Sequence, residues 1–77
     1  MEAAKRADEI TGRLGPVLRA RREALGLSMN ELSTRSGLTV SFIGYLETGQ
    51  RRPSVDSLCR LAVAFGCKPS ELLQAVE

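Results

Sequence analysis

Apolar positions recur along the chain at helical intervals, and glycine, proline and small polar residues separate the runs. Leu14, Val17, Leu18 and Leu25 form the first strong stripe, and Gly26 closes it as a C-terminal glycine. Pro16 has no N–H to donate, so it fits only in a first turn, and the helix is predicted to start near Gly12 or Arg13. Ser28 stands three residues before Glu31. That is a Ser-x-x-Glu capping box, in which the hydroxyl and the carboxylate each satisfy one free N–H of a helix start. Leu27 and Leu32 are spaced for a hydrophobic staple around it, and a short helix is predicted from Met29 to Ser36. Gly37 allows a tight exit, Leu38 can pack inward, and Thr39 is a good cap for the next helix. In that helix Ile43 and Leu46 fall at core spacing with Phe42 beside them, while Ser41, Gly44, Tyr45 and Thr48 fall opposite.

Ser54 is placed to cap a further helix, with Asp56 in the first turn where a negative charge suits the helix dipole. Val55, Leu58, Cys59, Ala62 and Phe65 give its expected buried stripe, and Gly66 ends it. Pro69 suits the first position of a last short helix carrying Leu72, Leu73 and Val76. Residues 1–11 are helix-compatible but lack a strong apolar stripe, and are read as an N-terminal tail. Nothing alternates like a strand. The pattern predicts an all-α domain over residues 12–77, five short helices around one core. The helices over 29–36 and 39–48, joined by a short glycine-containing turn, form a helix-turn-helix.

Composition narrows the chemistry. A chain of 77 residues suits one small domain, and with aromatics at 4% against 43% apolar residues the core must be aliphatic. Cys59 and Cys67 have no metal-ligand spacing, and no histidine exists to complete a zinc set. They are read as buried, reduced thiols of a cytoplasmic protein, with no metal or cofactor expected. No apolar run approaches the roughly 18 residues of a spanning helix, and no signal-peptide core is present at the N-terminus. Without a histidine or a carboxylate pair in a loop-built pocket, the sequence argues against an enzyme.

Net charge is only +2, but its distribution is uneven. Residues 13–52 hold Arg13, Arg19, Arg21, Arg22, Arg35, Arg51 and Arg52 against Glu23, Glu31 and Glu47, while both flanking segments are net acidic. Charge alone fits a solvated face or a phosphate-facing surface equally well. The stretch "SGLTVSFIGYLETGQRRPS" sharpens the choice, because it sets an uncharged helix face between basic flanks.

The segment from Leu14 to Leu73 resembles the Cro/CI-type helix-turn-helix regulators. The resemblance rests on "LR..RE..GLS", "EL", "SG", the "I..LE.G" at Ile43–Gly49, "RRPS" and the closing "LA.AFG". It implies a lambda-repressor-like domain that binds double-stranded DNA as a transcriptional repressor, with the helix over 39–48 in the major groove. Such a face must be slim and present hydrogen-bonding or methyl-contacting groups to base edges. Thr39, Ser41 and Tyr45 can donate or accept, Val40 can touch a thymine methyl, and Gly44 removes bulk. Arg19, Arg22, Gln50, Arg51 and Arg52 are the expected phosphate-side residues. The family pattern also pairs Arg22 with Glu47 as a structural ion pair. Met29 departs from the family, which commonly has glutamine there. Only the backbone N–H groups at Met29 can then meet a phosphate. The resemblance further implies a homodimer on paired half-sites, with Leu72, Leu73 and Val76 as candidate contacts. A protein-interaction module, or an antitoxin with little DNA binding of its own, is the alternative use of the same fold.

Overall fold

The computed structural model describes residues 1–77 as six helices and no strand. They are α1 (Glu2–Gly12), α2 (Leu14–Ala24), α3 (Met29–Ser36), α4 (Val40–Glu47), α5 (Val55–Phe65) and α6 (Pro69–Gln74). The N-terminal segment is therefore a sixth helix preceding the expected five. Only Arg13, itself in a right-handed helical conformation, separates α1 from α2. Pro16 explains why these are two helices and not one. It has no N–H for the carbonyl of Gly12, and its ring crowds that carbonyl, so the ladder is interrupted there.

The ends of α3, α4 and α5 follow the capping pattern. Ser28, Thr39 and Ser54 each accept a backbone N–H three residues on, from Glu31, Phe42 and Ser57. Gly37 and Gly66 close α3 and α5 in the left-handed conformation, with φ of 74° at both. At α3 the box is reciprocal: Glu31 N–H donates to Ser28 Oγ at 3.0 Å, and Ser28 N–H donates to Glu31 Oε1 at 3.1 Å. Those hydrogen bonds from Ser28, the backbone one foremost, hold the Glu31 carboxyl below the usual glutamate range. A depressed carboxyl stabilises the fold above its unfolded pKa, about 4.3, and that contribution is lost as pH falls through the lower folded value. Glu31→Gln keeps an acceptor but not the titration. Its melting temperature should therefore fall less than that of the wild type between pH 5 and pH 2, and superimposable curves would count against the box.

Leu18, Leu32, Ile43, Leu61 and Leu72 are the largest fully buried side chains, so every helix except α1 contributes to the core. The staple pair Leu27 and Leu32 is buried. Ser33 Oγ donates to the Leu38 carbonyl at 2.5 Å, which ties α3 to the turn leading into α4.

Several expected core positions lie elsewhere. Val55 is 81% exposed at the first position of α5, although Ser57 and Leu58 in the same turn are buried. Leu61 and Ala64 are buried in its stripe instead. Leu25 is carried outward at the C-cap of α2, and the reversal at Gly26, φ 68°, turns Leu27 inward. Cys59 and Cys67 are free thiols, but half-buried rather than buried. Burial nevertheless pushes the Cys67 thiol above its ordinary pKa, with the nearby Arg21 guanidinium opposing the shift. No helix is long and apolar enough to cross a membrane.

Candidate nucleic-acid interface

The position of α4 is set by α2, through two contacts. The first is steric. A Cβ at Gly15 would lie 2.6 Å from the Glu47 carbonyl oxygen and 2.7 Å from that of Leu46. No side chain fits, so glycine lets the start of α2 press against the last turn of α4. The second is electrostatic. Arg22 Nε donates to Glu47 Oε2 at 2.7 Å and its Nη2 to Oε1 at 3.1 Å, a bidentate fork. Arg22 Nη1 also donates to the Leu27 carbonyl at 3.0 Å. The two side chains are only 12% and 6% exposed. The hydrogen bond to Glu47, opposed by burial, raises the already high Arg22 pKa, so the guanidinium keeps its charge.

The outer face of α4 is open and uncharged. Val40, Ser41 and Tyr45 are exposed, Tyr45 to 44%. Thr39 is exposed beside them, its hydroxyl accepting the Phe42 N–H at 3.1 Å and leaving its own hydrogen to donate. Gly44 is half-buried. Its missing Cβ faces the Met29 methyl at 3.4 Å, an ordinary contact distance, so Met29 packs beside α4 at the start of α3. Met29 thus serves as packing, and beside it the first N–H groups of α3 have no intrahelical partner.

The segment after α4 turns back along it. Gly49 is left-handed at φ 80°, and Arg51 N–H donates to the Tyr45 carbonyl at 3.1 Å. Gln50 donates through Nε2 to Thr48 Oγ1 at 3.1 Å. Arg51 is exposed, and Arg19 is exposed beside Glu23 at 3.6 Å. Arg52 meets Asp8 of α1 at 2.6 Å, a contact across the surface that sequence spacing does not signal. All three nitrogens of Arg22 are engaged within the protein, which leaves it few hydrogens for a phosphate.

The helix-turn-helix family profile matches residues 18–72, most of the chain. The chain belongs to the Cro/CI-type helix-turn-helix family. It is 43% identical over 63 residues to an HTH-type transcriptional regulator of Sinorhizobium fredii, spanning 77% of this chain and 32% of that one. A second regulator of the same organism is 42% identical over 55 residues, 71% of this chain and 70% of the relative. A regulator of Mycobacterium tuberculosis matches at 37% over 66% of this chain and 36% of its own. The chain thus spans about a third of the length of the first of these and of the mycobacterial regulator. Its structure is similar to that of the restriction-modification controller protein C.AhdI from Aeromonas hydrophila, with a TM-score of 0.77 and 40% identity over 80% of this chain and 94% of that one.

Within this helix-turn-helix chain, α3 and α4 are the motif itself, and α1 lies outside the matched residues. The expected dimer contacts divide. Leu72 and Val76 are core residues, Val76 held where Arg13 Nη1 donates to its carbonyl at 3.3 Å, so neither is available to a partner. Leu73 is 46% exposed and lines a groove of about 290 Å3 whose walls include apolar Leu14, Val55 and Leu58 and also Arg52 and Ser54. Sequence reading missed Gly15. A glycine inside an apolar helical stripe is the signal that a backbone approaches closely there.

Proposed function

We propose that this regulator binds double-stranded DNA sequence-specifically in the cytoplasm and represses transcription by occupying its operator. The carrying observation is the uncharged exposed face of α4, locked to α2 from behind and flanked by exposed arginines. Laid in a major groove, Thr39, Val40, Ser41 and Tyr45 meet base edges, while Gly44, expected among them, faces the Met29 side chain of α3 instead. Arg51, Arg52, Arg19 and Gln50, with the free N–H groups at the start of α3, meet phosphates. Arg22 acts chiefly through Glu47, fixing the angle at which α4 is presented. Two copies joined through the exposed Leu73 of α6 bind paired half-sites. The likeness to C.AhdI favours control of a restriction-modification system as the specific role.

The test separates charge from base reading. Arg51→Ala should weaken operator and scrambled duplex alike and flatten the log–log salt slope by about 1. Tyr45→Ala should leave the slope unchanged and cost about 1–3 kcal/mol on the operator only. Salt titrations on both duplexes measure this. Equal losses on both duplexes for Tyr45→Ala would remove it from the reading face.

A further inference from the structure

Arg52 is one of the cations expected on phosphate, yet its guanidinium is already occupied. Its Nη2 donates to Asp8 Oδ1 at 2.6 Å, across 44 residues of sequence. Both side chains are well exposed, at 62% and 64%, so the pair is in reach of solvent and of any polyanion on that side. Asp8 belongs to α1, which buries none of its residues and lies outside the family-matched segment 18–72. It is held near the domain by partly buried Ile10 and Thr11 and by the short join at Arg13. Arg52 in turn sits one residue past Arg51, whose N–H is tied to the Tyr45 carbonyl. The carboxylate therefore stands beside the basic flank of α4.

We propose that Asp8 is a resident competitor for the phosphate that Arg52 would otherwise bind, so that α1 lowers the affinity of the domain for DNA. The inference rests on the DNA-binding reading above. A phosphate approaching Arg52 meets a like charge and must displace it. Exposed ion pairs are weak enough for a phosphate to do so, which makes the effect graded rather than all-or-none. The consequence is sequence-independent, because Arg52 faces backbone and not bases. α1 thereby acts as a built-in attenuator of non-specific binding, and anything that draws α1 away from the loop releases Arg52.

The experiment compares the full chain with Asp8→Asn, Arg52→Ala and the double variant on operator and scrambled duplexes across a salt series. Asp8→Asn should tighten both duplexes by roughly two- to fivefold at low salt and steepen the log–log salt slope by up to about 1. The gain should vanish in the Arg52→Ala background. Glu9→Gln makes the same charge change on the same helix, but Glu9 lies nearest Arg6 at 3.7 Å, so it should have a much smaller effect. Asp8 is exposed, and circular dichroism checks that helix content is kept. Unchanged or weaker binding by Asp8→Asn, a gain that survives Arg52→Ala, or an equal gain from Glu9→Gln would each overturn the proposal while leaving DNA binding intact. A wild type that binds neither duplex at any salt would instead overturn the DNA-binding reading, and this inference with it.

Discussion

Gly15→Ala should lower the stability of the domain by about 2–3 kcal/mol, although alanine is the better helix former. At an exposed helix position the same change gains up to about 1 kcal/mol, so the sign itself is the prediction. The new methyl would sit 2.6–2.7 Å from two carbonyl oxygens of α4, and both belong to backbone that cannot rotate away. Either α2 and α4 separate or one helix end distorts. For a chain of this size the melting temperature should drop by roughly 10–20 °C. Gly12→Ala is the control, because a Cβ there meets nothing within 4 Å. A Gly15→Ala protein as stable as wild type would show that the two helices do not pack as closely as described. The same displacement should impair DNA binding by tilting α4, even below the melting transition.

Glu47→Ala should cost about 2–4 kcal/mol in thermal or urea unfolding. It removes both arms of the fork and leaves a largely buried guanidinium with only the Leu27 carbonyl as partner. Arg22→Lys should be nearly as damaging despite keeping the charge, since an ammonium cannot reproduce two parallel N–H donors. Glu47→Gln should fall between, because it retains one acceptor. An unchanged midpoint for Glu47→Ala would place the pair in solvent, against its low exposure.

The fold is legible in the sequence where local chemistry decides it. Ser28, Thr39 and Ser54 mark helix starts because their hydroxyls satisfy N–H groups that have no other partner. Gly37 and Gly66 mark ends because their backbones must turn left-handed. Apolar spacing was a weaker guide. Val55 and Leu25 sit at the right intervals yet are exposed at the ends of their helices, and period alone cannot say where a core stops. The face of α4 follows from its sequence, since Ile43 and Leu46 fix its inward side and leave Val40, Ser41 and Tyr45 outside. Contacts between distant segments left no local trace. Asp8 with Arg52 and Arg13 with the Val76 carbonyl depend on how α1 and the C-terminus are folded back. Gly15 left a trace of another kind, a residue with no local reason to be in its helix.

Base reading by α4 can be measured by selecting bound duplexes from a random pool with the wild type and with Ser41→Ala and Tyr45→Ala. The wild type should enrich a defined sequence with two related half-sites about one helical turn apart. Each variant, folded to the same helix content, should lose preference at particular base positions while still binding DNA. Enrichment of the same sequence by all three proteins, or of none by the wild type, would contradict base reading by α4.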